Sequence, residues 1–187
     1  FYLYLEKLSL VDLSHIEAHF NEYDIGFFDD EDIRRIADIP GRHFTVEDLM
    51  KRLNAGNMCY GLKCRGEIAA FTWCDFEKSN FVFYNFSLKE NEAYLYDAFT
   101  LADYRGKGIA PYLRYRFYKA LEKKKRFNFY SYSLYFNAPA VRFKEKLNAR
   151  RLKLCVYIKV FDKWDFSLTI KRYRLNTPGL MTAYGNT

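Results

Sequence analysis

The spacing of hydrophobic and polar residues predicts a strand followed by helices in the first third of the chain. Residues 1–7 alternate and are rich in aromatic side chains, which favours a strand. From Ser9 to Phe20 apolar residues recur at helical spacing and predict a first helix. Two more helices are predicted. One covers 30–39, before Pro40-Gly41, and the other begins near Thr45 as its cap, with Asp48 three residues later as a weak capping box, and ends before Gly56.

From Met58 onward the spacing changes to period two, which is typical of strands. Four strands are predicted, at 58–63, 67–76, 81–88 and 92–100. A helix follows, whose residues Ile109, Leu113, Phe117 and Leu121 make one apolar stripe, while the charged residues Lys107, Arg114, Lys119 and Glu122 lie elsewhere on its surface. The remaining pattern predicts a strand at 127–136, a helix at 137–147 and a hairpin of strands 152–161 and 166–174. This order predicts an α+β fold, in which one domain over 1–187 has a mixed, mostly antiparallel central sheet flanked by helices.

Composition agrees with a folded domain and argues against a membrane span. Of the 187 residues, 50% are hydrophobic and 20% are aromatic, so a substantial core is expected. The longest uncharged apolar run, 68–74, is much shorter than the roughly 18 residues that a membrane helix needs. The chain begins at Phe1 rather than Met, so a preceding segment and its targeting information stay open.

The cysteines and the net charge indicate whether the chain is expected to bind a metal ion or nucleic acid. Cys59, Cys64, Cys74 and Cys155 show no metal-ligand spacing, which favours reduced thiols in a cytoplasmic protein without a metal site. The net charge of +7 makes nucleic acid, a polyanion, a candidate partner. However, the densest run of cations, 123–126, is typical of a solvated helix end, so nucleic-acid binding is the less favoured interpretation.

The junction between the strand 92–100 and the following helix carries the candidate chemistry. It reads Arg105-Gly106-Lys107-Gly108-Ile109-Ala110. Glycine lets a ligand approach the backbone, and the first turn of a helix presents unpaired N–H groups with partial positive charge. Two cations beside such a turn suit a pyrophosphate. The spacing fits neither a Walker loop nor a dinucleotide-binding GxGxxG fingerprint.

These residues resemble a signature of the GNAT superfamily of acyl-CoA-dependent N-acyltransferases. The signature has Arg or Gln, then Gly three residues later, and then Gly or Ala two residues after that glycine. In this chain Arg105, Gly108 and Ala110 occupy the three positions. Residues 137–147 resemble a later segment of the family, and the predicted order of elements resembles the family's order. The resemblance covers most of the chain, with specific residues matching from about Glu92 to Leu147.

The resemblance implies acetyl-CoA, or another acyl-CoA, as co-substrate. Its pantetheine arm would pair with the backbone of Phe99 and Thr100, where two strands splay apart. The family's pattern assigns the pyrophosphate to the junction, with Arg105 and Lys107 beside it and amides from Gly106, Lys107, Gly108, Ile109 and Ala110. Asn137 would contact the arm from the other side of the splay, and it also suits a helix N-cap.

Catalysis by direct attack of an amine needs a base, and two carboxylates are candidates. Glu92 lies at the start of the signature strand, where some members of the family keep a glutamate. Asp97 is the alternative, since partial burial on the face of Phe99 would raise its pKa. Where many members have a tyrosine as general acid, this chain has Lys144, which either donates to the leaving thiolate or pairs with a CoA phosphate. A strand tyrosine is another candidate acid, and the role stays open.

The resemblance therefore implies an N-acetyltransferase that modifies a primary amine of a small molecule. The acceptor is expected over the sheet face that carries Tyr94 and Tyr96. Two alternatives remain at this point: a non-catalytic acyl-CoA-binding module, and transfer of a longer acyl chain, which requires an apolar tunnel beyond Phe99. A homodimer also stays open.

Overall fold

The computed structural model describes residues 1–11, 20–79, 81, 84–160 and 164–174, and these form one eight-stranded sheet with helices on both faces. The strands are β1 (Tyr2–Glu6), β2 (Tyr23–Phe27), β3 (Met58–Cys64), β4 (Glu67–Asp75), β5 (Glu92–Thr100), β6 (Asn128–Ser133), β7 (Arg150–Val160) and β8 (Trp164–Arg172). The α-helices are α1 (Asp30–Ala37), α2 (Val46–Asn54), α3 (Ile109–Lys123) and α4 (Ala138–Lys146).

The sheet is mixed, as predicted. Its strand order is β2-β3-β4-β5-β6-β1-β7-β8, and every pair is antiparallel except β5 with β6. A parallel pair needs a crossover connection, and α3 supplies it. The α+β architecture with a mostly antiparallel central sheet is therefore confirmed.

The two faces of the sheet bury different partners. On one face α3 packs its side chains, among them Leu113 and Phe117, against Ala93, Leu95 and Phe129. On the other face α1 and α2 cover Phe71 and Trp73 through residues such as Ile33, Ile36 and Leu49. Both helices begin as their sequences predict, because Asp29 caps α1 and Thr45 forms a capping box with Asp48 at the start of α2.

The prediction of a strand at 81–88 is wrong. Among its described residues, the structure has only isolated bridges, Lys78 with Ser87 and Phe81 with Tyr84. The reason is that β4 already has β3 and β5 on its two edges, so no edge is free for a further strand. Three described aromatic residues of this segment, Phe81, Tyr84 and Phe86, instead pack over a sheet patch around Tyr94 and Tyr130.

Other boundaries differ at the ends of elements. Strand β2 was not predicted; it pairs with β3 and contains Gly26 and the exposed Asp24, which weaken a strand pattern. The predicted helix 9–20 lies largely outside the described residues, which include a short 3-10 helix at Leu8–Leu10 and the buried Phe20. The terminal hairpin is confirmed as β7 and β8, and its predicted turn lies partly outside the described residues. Within the part of the chain described, no helix combines the length and apolar character needed to cross a membrane.

Candidate functional site

A cleft opens where β5 and β6 separate. The two strands pair only over Glu92–Tyr94, which lie opposite residues 128–130. Beyond that point β5 continues with β4 and β6 continues with β1, so the facing edges diverge. The cleft beside this divergence has a volume of about 390 Å³, and its walls come from β4, the end of β5, α3 and α4. It is lined by Phe71, Thr72, Ala98, Phe99, Thr100, Arg105, Ala110, Leu113, Arg114, Asn137, Pro139, Ala140 and Phe143.

Strand β5 carries a bulge beside the cleft. Its register with β4 shifts by one residue between the pair Phe71 with Phe99 and the pair Trp73 with Tyr96. Asp97 lies in the shifted stretch with a φ of 47°, a left-handed conformation that is uncommon outside glycine. The following residue, Ala98, is exposed and lines the cleft. Bulges of this kind bend a strand and are frequent next to active sites.

The start of α3 lies at the mouth of the cleft and has no capping side chain. Its N-cap is Gly108, with φ 77°, whereas α1, α2 and α4 are capped by Asp29, Thr45 and Asn137. None of the described residues supplies a backbone acceptor for the five amides from Gly106 to Ala110. The turn also lacks acidic residues. Unpaired amides at a helix start attract anions.

Polar groups at the mouth hold this junction in place. Arg105 Nε donates to the carbonyl oxygen of Thr100 at 2.9 Å, and its guanidinium lies 5.7 Å from the ring centre of Phe99. Asn137 Oδ1 accepts a hydrogen bond from the Ala140 amide at 3.1 Å, so Asn137 is the N-cap of α4 as well as a residue of the cleft wall. Each side of the splay is thus held by its own hydrogen bonds, and Arg105 and Asn137 both line the cleft.

Most of the residues predicted to contact acyl-CoA are brought together. Phe99, Thr100, Arg105, Ala110 and Asn137 line the cleft. Gly106, Lys107 and Gly108 precede α3 at its mouth, while the side chain of Ile109 is buried in the core. The geometry therefore agrees with the predicted cofactor site at these positions, and their contacts with a cofactor stay a prediction.

Lys144 lies elsewhere than expected. Its side chain is only 4% exposed, and Nζ donates to Glu6 Oε1 at 3.0 Å and to the Ser131 hydroxyl. This position corrects the expectation that Lys144 pairs with a CoA phosphate, because a buried ammonium with these partners does not reach the mouth of the cleft. It also removes Lys144 as a free proton donor.

Glu92 does not line the cleft. It is 6% exposed, Oε1 accepts from the Tyr130 hydroxyl at 3.0 Å, and Oε2 accepts from the Lys89 amide at 2.9 Å. Ala98 lies six positions after Glu92 along the strand, which corresponds to roughly 20 Å. Direct contact with a group bound near Ala98 is therefore excluded.

Asp97 also points away from the cleft lining, into a pair of arginines. Its carboxylate accepts from Arg42 at 2.8 and 2.7 Å and from Arg52 at 2.7 Å, and its side chain is 14% exposed. Both oxygens are thus occupied by cations. This arrangement anchors the bulge of β5 to α2 and the loop before it, and it holds both carboxylate oxygens against guanidinium groups.

A buried charge cluster lies directly behind the cleft. Glu6 is fully buried and accepts hydrogen bonds from Tyr118, Ser131 and Lys144, and the Nε atom of Arg114 lies 3.8 Å from its Oε2. Burial by itself raises the pKa of Glu6, but the Lys144 and Arg114 cations and the two hydroxyl donors outweigh it and lower that pKa to about 2. Burial lowers the pKa of Lys144 below its usual range, against the opposing effect of Glu6.

Among the described residues, no group of three or more His, Cys, Asp or Glu side chains is placed to hold a metal ion.

Arg114 is the residue of this cluster that sequence reasoning missed. The sequence pattern placed it outside the apolar stripe of α3 and gave it no role, whereas it is 2% exposed and lines the cleft. A signal was present: the residues three, four and seven positions later, Phe117, Tyr118 and Leu121, are all apolar or aromatic. A cation on the same stripe as three such residues is a candidate for burial.

A comparison with protein families finds a match over most of the chain. A sequence profile described as the Acetyltransferase (GNAT) family matches residues 14–149. No curated protein matches the chain.

Solved structures with the same fold include three acetyltransferases. The putative GNAT-family acetyltransferase of Novosphingobium aromaticivorans has a TM-score of 0.51 and 18% identity, and the match covers 80% of this chain and 59% of that protein. The ribosomal-protein-alanine N-acetyltransferase of Brucella melitensis biovar Abortus has a TM-score of 0.57 and 14% identity, over 75% of this chain and 100% of that one. The aminoglycoside 6'-N-acetyltransferase of Acinetobacter baumannii has a TM-score of 0.57 and 16% identity, over 74% and 97%. At these identities the likeness shows the fold alone.

Proposed function

Because the chain belongs to the acetyltransferase (GNAT) family, we propose that it transfers an acetyl group from acetyl-CoA to a primary amine of a small-molecule acceptor. The observation that carries the proposal is the cleft between β5 and β6, which opens beside a helix start without a capping side chain. An open strand edge, which can pair with an amide-containing arm, thus adjoins a set of free N–H groups, which can bind phosphates. Acyl-CoA contains both an amide-containing arm and phosphates.

The arm and the pyrophosphate each have a proposed partner. From Leu95 to Thr100 one edge of β5 is paired with β4, and the edge toward β6 is open to the cleft. The pantetheine amides would pair with that open edge as a short strand does. The amides from Gly106 to Ala110 would bind the pyrophosphate, and Arg105 and Lys107 are exposed cations beside it.

The cleft favours a short acyl group over a long chain. Beyond Phe99 the space is filled, because the Phe71 and Phe99 rings lie 5.8 Å apart and Phe71 is fully buried. The Arg42 guanidinium lies 5.2 and 5.0 Å from the centres of these two rings. A charged group behind two packed rings leaves no apolar tunnel at this place.

The chemistry is a direct attack within one ternary complex. The nitrogen of the neutral amine bonds to the thioester carbon, the carbon–sulphur bond breaks, and the amine gives up a proton. We assign the proton to Glu92 through water rather than to Asp97. At Glu92 the described contacts are hydrogen bonds from Tyr130 and Lys89, whereas both oxygens of Asp97 face guanidinium groups.

Thiol release tests this function. Purified protein with acetyl-CoA and a panel of amines, including amino sugars, polyamines, amino acids and peptide N-termini, is expected to release free CoA with at least one class. Acetylation of the amine, detected by mass spectrometry, must accompany it. Binding of CoA without release by any amine would favour a non-catalytic CoA-binding module, and release from a long-chain acyl-CoA alone would replace acetyl as the donor group.

Glu92→Gln is expected to slow turnover by about 10²-fold or more at neutral pH, as for a lost general base. The loss should be smaller at high pH, because more of the amine is already neutral there. Rates measured from pH 6.5 to 9.5 check this dependence. Asp97→Asn is the control: asparagine tolerates the left-handed backbone, so this variant should lose stability through its arginine contacts while the shape of its pH profile stays that of the wild type. A pH-dependent loss in Asp97→Asn alone would reverse the assignment.

A further inference from the structure

We propose that Arg114 stabilises coenzyme A as a thiolate when it leaves, so that the reaction proceeds without a proton donor at the sulphur. This inference rests on the proposed function and concerns the same cleft. It assigns a catalytic role to a residue of α3, at a distance from the GNAT signature at the start of that helix.

The position of Arg114 places a cation at the inner end of the cleft. The residue lies six positions after Gly108, which is about 9 Å along the helix axis. Its neighbour in the charge cluster, Ser131, directly follows Tyr130, the last residue of β6 that pairs with β5. An arm whose phosphates lie at the start of α3 and whose chain follows the open edge of β5 therefore carries its sulphur toward Arg114.

Arg114 has an unused hydrogen-bond donor in a buried place. The residue is 2% exposed, yet its Nη1 atom has no hydrogen-bond partner among the described residues. An unpaired buried donor is costly, and one on a guanidinium is costlier still. A thiolate in contact with the guanidinium would satisfy it.

The cluster behind the cleft carries an excess of positive charge. When all three groups are ionised, Glu6 supplies one negative charge and Lys144 and Arg114 supply two positive charges. Of the two cations, Lys144 lies nearer to Glu6, with Nζ 3.0 Å from Oε1, while Nε of Arg114 lies 3.8 Å from Oε2. Arg114 is thus the cation of the pair that is less neutralised, and it is the one that lines the cleft.

Among the described residues that line the cleft near Arg114, none is an acid that could protonate the sulphur. Helix α4 contributes Pro139, Ala140 and Phe143 to the cleft, and none of these side chains has a proton to give. The hydroxyl of Thr72 already donates to the Tyr96 carbonyl at 3.3 Å. Lys144 is bound to Glu6 and Ser131. Arg114 therefore stabilises the negative charge of the leaving thiolate, in place of a proton transferred to the sulphur.

The step balances without an oxidant or a metal ion. The amine nitrogen forms its bond to the carbonyl carbon, the carbon–sulphur bond breaks, and its electron pair goes to sulphur. The thiolate then lies beside a guanidinium that keeps its own proton, because arginine is not deprotonated in proteins. The amine's proton goes to water or Glu92, and the thiolate takes a proton from solvent after release.

The thiol pKa of bound coenzyme A tests the inference without an acceptor. An opposite charge at contact distance lowers a pKa by about 1–3 units, so the thiol of bound CoA should ionise at a pH lower than that of free CoA by that amount. Ultraviolet absorbance of the thiolate, recorded against pH with desulfo-CoA as the blank, measures the shift. Burial raises the pKa of Cys59 and, to about 12, that of Cys74, so these core thiols stay protonated in the titration range.

Two variants and a control make the result specific. Arg114→Gln should return the thiol pKa of bound CoA to the value of free CoA, and Arg114→Lys should retain part of the shift. Arg114→Gln leaves Glu6 and Lys144 as a neutral pair, which favours folding of the variant. Arg116→Gln, on the same helix and bonded to the Tyr112 hydroxyl, should keep the full shift. Turnover of the wild type should show no fall toward high pH from loss of an acid.

The outcomes separate this inference from the proposed function. If CoA binds but its thiol ionises as in free CoA, or if Arg114→Gln keeps the full shift, the role of Arg114 is refuted and acyl-CoA binding stands. If calorimetry detects no binding of CoA to the wild type, the proposed function and this inference fall together.

Discussion

Replacement of Glu6 by glutamine is expected to lower the free energy of unfolding by about 3–5 kcal/mol at neutral pH. The carboxylate is fully buried and faces two cations, with Lys144 Nζ at 3.0 Å and Arg114 Nε at 3.8 Å. An amide cannot balance these charges, so the variant leaves two buried cations without a carboxylate in their cluster. Chemical denaturation of both proteins measures the difference.

The effect of Glu6 should depend on pH with a definite sign. In the folded protein the pKa of Glu6 is about 2, which is below the value of about 4.3 for an unfolded glutamate. The stability that Glu6 contributes is therefore complete above about pH 4.3 and is lost as the pH falls toward the folded pKa. Wild type and Glu6→Gln should converge in stability as the pH is lowered from about 4 to about 2.

Glu90→Gln is the matched control, since Glu90 is exposed. The same exchange at a surface position should change stability by no more than about 0.5 kcal/mol. Equal effects at the two positions, or a Glu6→Gln effect that does not shrink in acid, would contradict the buried cluster. In Glu6→Gln combined with Arg114→Gln, part of the loss should return because one unpaired cation is removed.

Gly106→Leu is expected to weaken binding of coenzyme A by about 100-fold or more. Gly106 has a φ of 77°, and a Cβ atom there would meet no protein atom within 4 Å. The added side chain would therefore enter the open space in front of the free amides. Each lost hydrogen bond to a charged phosphate costs about 1.5–3 kcal/mol, which corresponds to about 10- to 100-fold in affinity. Titration calorimetry with CoA measures the change.

Gly56→Leu controls for backbone strain in that experiment. Gly56 has a φ of 81° and equally open surroundings, but it follows α2 at a distance in sequence from the cleft. Both variants force a side chain into the left-handed region, at about 1–2 kcal/mol. Gly56→Leu should thus lose similar stability while it keeps wild-type affinity. Wild-type affinity in Gly106→Leu would remove the helix start from the binding site.

Local signals in the sequence were sufficient where one element determines its own structure. The cap Thr45 with Asp48 predicted the start of α2, and the capping box is present. The glycine-containing junction predicted an open helix start, because Gly108 offers no capping side chain and both glycines have positive φ. The splay of β5 from β6 came from the family resemblance and not from the pattern itself.

Long-range competition decided the features that the sequence did not reveal. The alternation of 81–88 is typical of a strand, but the edges of β4 were already taken. Arg114 and Lys144 look like surface cations until Glu6, more than a hundred positions away, is brought between them. The sequence around Asp97 is that of an ordinary strand. The bulge at Asp97 depends on ion pairs with Arg42, in the loop before α2, and with Arg52, in α2.

A crystal structure of the protein with acetyl-CoA bound decides whether the cleft holds the co-substrate. We expect the pyrophosphate within hydrogen-bonding distance of the amides from Gly106 to Ala110, the arm along the open edge of β5, and the sulphur near Arg114. Acetyl-CoA bound outside the cleft between β5 and β6, or a cleft that stays closed to it at saturating concentration, would refute the proposed cofactor site.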